Sequence, residues 1–218
     1  MGLEDYKDIV ATCAAVTTMG QMLAGTLICK DIYQKGSTKG FDPMPFVGGI
    51  GMSLLMFQYA WILGDAAMIN VNIFGLLTNV AYISVFYITF SPIRFNHESV
   101  GFASIFLGYA QWEHPDLIEF RFGIIVTVML LLLIASPLVH LTEILKTKST
   151  EILPFPLILM GTLVSAQWLL YGLIIDNAFI IFQNGFGFVL SAVQLSLFAI
   201  FPSAPKSEKS LKSSKKDK

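Results

Sequence analysis

Two asparagines, Asn72 and Asn184, stand out as residues whose type and setting could do chemistry. Each lies in an apolar run, seven or eight residues past a short polar turn at Asp65 or Asp176. At 1.5 Å per helical residue, that places each about 10–12 Å into a membrane. A carboxamide at such depth must find a hydrogen-bond partner or suffer a penalty of roughly 2–7 kcal/mol. A single buried asparagine reads as glue between helices. Here there are two, 112 positions apart, each in an Asn-x-x-Gly setting at matched depth. That pairing favours a shared central site. A carboxamide offers two donors and an acceptor with two lone pairs, the complement of adjacent sugar hydroxyls.

Trp168 lies one apolar run earlier, and the same offset sets Met56 opposite it. A flat indole stacks on the apolar face of a pyranose and donates through its N–H; it serves equally well as filler between helices. The offset also aligns Ser37-Thr38 with Ser149-Thr150, Gly49 with Gly161, Ser53 with Ser165 and Tyr59 with Tyr171. Beyond the asparagines it aligns Gly75 with Gly187, Ser84 with Ser196 and Phe86 with Phe198. Small polar residues such as the two serines often mark close helix packing. A second group is made of helix breakers. Pro45, Pro154 and Pro156 begin apolar runs, a position that suits a first-turn proline. Pro137 falls within a run, where it frees a backbone carbonyl and makes a natural hinge.

The elements that must carry these residues are legible from charge. Mean hydropathy of +0.68, with 55% hydrophobic and 13% charged residues, describes a chain that lives in lipid. No acidic or basic residue interrupts the stretches from Asp8 to Lys30, Asp42 to Asp65, Asp65 to Arg94, Arg121 to Glu143, Glu151 to Asp176, or Asp176 to Lys206. Each is long enough for the ~20 residues that cross a hydrocarbon core, and in lipid a lone segment satisfies its backbone only as a helix. The gap from Glu98 to Glu113 is shorter and makes a marginal span. The predicted fold is an all-α membrane protein of seven transmembrane helices: two parallel three-helix repeats (7–92 and 120–202) joined by an inverting linker helix region (97–118). Residues 203–218 make a disordered, basic tail.

With the N-terminus outside and the C-terminus in the cytoplasm, 12 of the 14 basic residues fall inside, the exceptions being Lys7 and Arg121. Cys13 and Cys29 share one predicted helix and read as apolar filler. His97, His114 and His140 read as solvated or interfacial, and the last lysines resemble a dilysine retrieval signal that a solvated tail explains equally. No charged side chain lies deep in a span, which leaves no evident sodium or proton site. No triad, metal motif, phosphate loop or carboxylate pair is present. The sequence therefore predicts neither an enzyme nor an ion-driven pump. It calls for no cofactor, no metal and no nucleic acid, and leaves passive alternating access by a neutral polar solute.

Several motifs together resemble the SWEET (MtN3/saliva) sugar transporters, particularly the animal members. They are LAGT (23–26), KGST (35–38), PFV (45–47), GYAQWEHP (108–115), EFRFG (119–123), ASPL (135–138), KTKSTEILPFP (146–156), WLLYG (168–172) and QNGFG (183–187). The resemblance implies facilitated diffusion of a glucose-like or sucrose-sized sugar, with Asn72, Asn184, Trp168 and Met56 around it. It implies hinges at Pro45, Pro137 and Pro154 or Pro156, with Gly25 where the family has a fourth proline. Tyr59 and Asp176 resemble an extracellular gate. Homo-oligomers and a plasma-membrane location are further expectations, a Golgi or ER membrane being the alternative. The competing function is a PQ-loop-type sorting or cargo receptor of the secretory pathway, although such receptors usually carry charges in the cavity.

Overall fold

The computed structural model describes residues 2–90, 97–135, 144, 146–150 and 153–201. Pro137, His140 and the basic tail lie outside them. A 3-10 turn at Leu3–Tyr6 leads into α1 (Lys7–Met22) and α2 (Gly25–Lys35), followed by α3 (Met44–Leu63), α4 (Ala66–Phe90), α5 (His97–Trp112) and α6 (Pro115–Ala135). Two more helices follow, α7 (Phe155–Ile174) and α8 (Ala178–Ile200). α1 and α2 form one interrupted crossing, which gives seven helical segments among the described residues. Six of these are long and apolar enough to span a membrane. α5, with 16 residues, reaches only about 24 Å against a ~30 Å core.

The two copies have one internal order. α4 packs against both α1 and α3, and α8 packs in the same way against α6 and α7. Between copies, α1 lies on α7 and α3 on α6, so the first helix of each meets the second of the other. α5 rests on α3 and joins the halves. At its far end Glu113 takes hydrogen bonds from the Tyr109 hydroxyl, from the His114 N–H at 2.9 Å, and from Arg121 at 2.7 Å. These donors, the Tyr109 hydroxyl foremost, hold the Glu113 carboxyl well below the usual carboxylate range, and they tie α5 to α6.

Lipid gives two helices no hydrophobic reason to associate, so close backbone approach has to do it. In both copies a serine presses on a glycine one helix away. A Cβ at Gly75 would stand 2.9 Å from Ser53 Oγ, and one at Gly187 would stand 3.1 Å from Ser165 Oγ. The turn that follows is also repeated. Gly64, at φ 64°, precedes Asp65, whose carboxylate accepts the Met68 N–H at 2.9 Å. Asp176, at φ 52°, precedes Asn177, whose amide oxygen accepts the Ile180 N–H at 3.1 Å. Asp is among the few residues that tolerate this left-handed conformation.

The prolines that begin helices match across copies, with the offset slipped by one residue. Pro43 and Pro154 are the N-caps of α3 and α7, and Pro45 and Pro156 each sit second in their helix. Pro156, rather than Pro154, is thus the counterpart of Pro45. Their missing N–H groups fall among donors that a helix start leaves unpaired anyway.

Gly25 has its own explanation. Between α1 and α2 the ladder tightens, and the Thr26 N–H bonds to the Leu23 carbonyl at 3.0 Å. The Met22 carbonyl instead accepts the Tyr82 hydroxyl of α4 at 3.1 Å. A Cβ at position 25 would stand 2.5 Å from the Tyr82 ring. Tyrosine on the neighbouring helix takes up a carbonyl at the break between α1 and α2, and glycine makes room for its ring. Gly25→Ala is expected to cost about 1–3 kcal/mol by overpacking. The loss should be smaller in a Tyr82→Ala background. Thermal unfolding in detergent of the two single variants and the double would reveal this coupling; simple additivity would show that the ring is not what Gly25 accommodates.

Candidate functional site

Between the copies lies a cavity of about 290 Å³ lined from α1, α3, α4, α6, α7 and α8. Among the described residues, none that lines it is charged and none comes from α2 or α5. Six pairs of lining positions are related by the repeat: Thr18 with Leu130, Met52 with Val164, Met56 with Trp168, Met68 with Ile180, Val71 with Gln183, and Asn72 with Asn184. Only the asparagines are the same residue in both copies. The remaining lining residues, Met22, Gly49, Ser53 and Asn79, all come from the first copy.

The two asparagines are held alike. Asn72 Nδ2 donates to the Met68 carbonyl at 2.8 Å, and Asn184 Nδ2 donates to the Ile180 carbonyl at 2.9 Å. One N–H is thereby spent on the helix, four residues back. The second N–H and the carbonyl oxygen of each amide remain for whatever occupies the cavity. Both side chains line the same space.

Met56 and Trp168 also reach the cavity, but the indole N–H is already engaged. It donates across the copies to Thr18 Oγ at 2.8 Å. Trp168 therefore presents its ring face and edge, and the expectation that its N–H serves the solute is corrected. The neighbouring Thr17 hydroxyl bonds to Gln167, a second link between α1 and α7. Gln183, 1% exposed, donates to Thr127 Oγ at 2.6 Å. Gln183 and Asn79 were not singled out by sequence reasoning. Gln183 directly precedes Asn184, and Asn79 lies two turns beyond Asn72 on the same face of α4, a spacing that could have found it.

At the Asp65 end of the bundle the two copies make a reciprocal pair of contacts. The buried Tyr59 hydroxyl lies 3.3 Å from Asn177 Oδ1, and the buried Tyr171 hydroxyl donates to Asp65. Tyr59 and Tyr171 are repeat-related, as are Asp65 and Asn177. Tyr59 thus pairs with Asn177 and not with Asp176, which holds the left-handed turn position that Gly64 fills in the first copy. Beside these contacts, Trp168 meets Tyr171 edge-on at 5.5 Å and 84°. The buried cluster here draws Ala11, Ala14, Leu55 and Tyr59 from one copy and Phe122, Val126, Trp168 and Tyr171 from the other. Toward the Lys35 end, the second cluster (Cys29, Ile32, Phe46, Tyr82, Ile83 and Phe86) belongs to the first copy alone. Among the described residues the copies therefore meet mainly at the Asp65 end.

A family model described as "Sugar efflux transporter for intercellular exchange" matches two separate segments of the chain, 8–92 and 120–206. The sugar transporter SWEET1 of Drosophila pseudoobscura pseudoobscura is 29% identical over 203 residues, covering 89% of each chain. The sugar transporter SWEET1 of Xenopus laevis is 29% identical, covering 92% of this chain and 96% of its own. The solved structure of a eukaryotic SWEET transporter superposes with a TM-score of 0.79 at 26% identity, covering 91% of this chain and 98% of that one. With the duplicated bundle and its uncharged, amide-lined cavity in place, the twofold family match completes the assignment: the chain belongs to the SWEET (MtN3/saliva) family of sugar transporters.

Proposed function

We propose that this chain is a uniporter that carries a monosaccharide by facilitated diffusion, through alternating access to the cavity between its two repeats. The observation that carries this reading is the matched pair Asn72 and Asn184, each half-satisfied by its own helix inside a cavity without charge. Vicinal hydroxyls complement the amide groups left over, and the Trp168 ring and the methionine wall suit the apolar face of a pyranose. The cavity measures about 290 Å³, and a hexose fits such a space with less displacement of its walls than a disaccharide does. Met56, where the other copy carries Trp168, keeps the wall soft and full, in favour of the smaller sugar.

With the N-terminus outside, as the basic residues favour, the Tyr59–Asn177 and Tyr171–Asp65 contacts form the extracellular gate. The conformation described is then one closed toward the outside. The proposed location is the plasma membrane, with the repeats spanning 7–92 and 120–202 and hinging at the helix starts carrying Pro45 and Pro156.

Uptake of labelled glucose into liposomes tests the reading. Asn184→Ala and Asn72→Ala are each expected to cut uptake at least about tenfold while the protein stays folded and monodisperse, since each loses hydrogen bonds worth ~0.5–1.5 kcal/mol apiece. Unchanged flux would return these residues to a role as helix glue. Because no lining group titrates, flux should not respond to an imposed pH or sodium difference. A rise with either gradient would rule out uniport. Tyr59→Phe with Tyr171→Phe should loosen the gate. A Met68→Cys reporter, in a background without Cys13 and Cys29, should then react faster with an impermeant thiol reagent added outside, and an unaltered rate would argue against this gate.

A further inference from the structure

The four lining residues without a lining partner in the second copy raise a separate question. Three are glycine, serine and methionine, but Asn79 is a third asparagine. It lies on the cavity face of α4, seven residues beyond Asn72 and so about 10 Å nearer the Lys35 end. Its Nδ2 donates to the Gly75 carbonyl at 2.7 Å, the same four-residue back-bond that Asn72 and Asn184 make. Its remaining donor and its carbonyl oxygen are left in the same half-satisfied state.

The amide also has a seat made for it. A Cβ at Gly49 would stand 2.6 Å from Asn79 Oδ1 and 2.9 Å from its Nδ2. Gly48 and Gly51, which flank Gly49, have nothing within 4 Å of their would-be Cβ atoms. Of this glycine cluster, only Gly49 is required by a neighbour, and that neighbour is Asn79. In the second copy Gly161 faces Ser191 at a looser 3.9 Å, and neither lines the cavity. At the level of Asn72 both walls carry an amide; at the level of Asn79 only one does.

We propose that Asn79 is a sugar-contacting, specificity-determining residue that forms a release-side subsite toward the Lys35 end, with Gly49 as its positioning residue. The inference rests on the sugar-transport reading. A hexose held between Asn72 and Asn184 passes Asn79 when it leaves by that end, and the leftover amide groups replace hydrogen bonds that the sugar gives up on moving. Because only one wall carries the amide, the subsite selects for hydroxyls on one side of the ring. A contact made only in the conformation open to this end changes affinity there more than at the other face.

Zero-trans efflux and uptake of radiolabelled glucose in cells, measured for the full chain and normalised to surface protein, provide the test. Asn79→Leu should raise the KM for efflux about three- to tenfold, the loss of one or two neutral hydrogen bonds, while the KM for uptake changes less. Asn79→Ser, which installs the residue of the other copy, should fall between. Gly49→Ala, which keeps the amide but pushes it off its seat, should shift the efflux KM in the same direction; it and Asn79→Ser carry the test if Asn79→Leu does not reach the membrane. Unchanged KM values, or equal rises on both faces, would overturn the proposal and leave Asn79 a packing residue. Absence of glucose flux in the unmodified chain would overturn the transport reading itself.

Discussion

A membrane interior withholds two things that water provides: a hydrophobic reason for helices to associate, and a partner for every stray polar group. Much of this architecture follows from those two absences. The helices come together where one of them has no side chain, with Ser53 on Gly75, Ser165 on Gly187 and Phe179 over Gly123. The polar groups first satisfy themselves within their own helix. Asn72, Asn79 and Asn184 each donate to the carbonyl four residues back, and Thr18, Thr78, Thr127 and Thr162 do the same with their hydroxyls. A threonine treated in this way has spent its one donor and can only accept, as Thr18 does from Trp168 and Thr127 from Gln183. A carboxamide keeps both a donor and an acceptor. On the proposed transport reading, those are the groups that would meet a solute.

The same scarcity of polar partners makes each contact between copies consequential. Those described are Tyr59 with Asn177, Tyr171 with Asp65, Trp168 with Thr18 and Thr17 with Gln167, and they run from the Asp65 end to the middle of the bundle. Trp168 joins the series to the cavity, since its ring lines the site, its N–H reaches the other copy and its edge meets Tyr171. On the proposed transport reading, a solute pressing on that ring would act on the side chain that meets Tyr171 at the Asp65 end. Packed interfaces of this kind tend to have two arrangements instead of deforming smoothly, and two like-oriented bundles hinged about a central site meet the geometric need of alternating access.

How much of this was legible beforehand depended on whether lipid or a distant neighbour set the feature. A charge inside a span is so costly that the gaps between charges mark the spans, including the shortness of the linker between Glu98 and Glu113. Depth and duplication then placed Asn72 and Asn184 together. Legibility failed where one helix meets another. The partner of Tyr59 was expected at Asp176, a carboxylate, yet the left-handed turn claims that residue and Asn177 makes the contact. The N–H of Trp168 is taken by Thr18 from the opposite copy, which no local spacing reveals. The slip of one residue between Pro45 and Pro156 falls at the helix starts, where a fixed offset has less hold than in the spans. Asn79 was passed over because Ser191 stands at its repeat position, so a search for symmetric amides discards it.

That last omission bears on why the copies diverged where they did. A sugar has no twofold axis, so a cavity with identical walls would offer two equivalent poses and orient it in neither. The scaffold keeps its symmetry in the packing order of the helices, the serine–glycine contacts, the turn caps and the tyrosine contacts at the Asp65 end. The walls abandon it. Thr18 faces the position of Leu130, Met56 that of Trp168, Val71 that of Gln183, and only Asn72 and Asn184 remain alike. On the proposed transport reading, two equal amides would hold the solute at the centre, and unequal neighbours would decide which way round it sits. Symmetry in the backbone would then serve alternation and asymmetry in the lining discrimination.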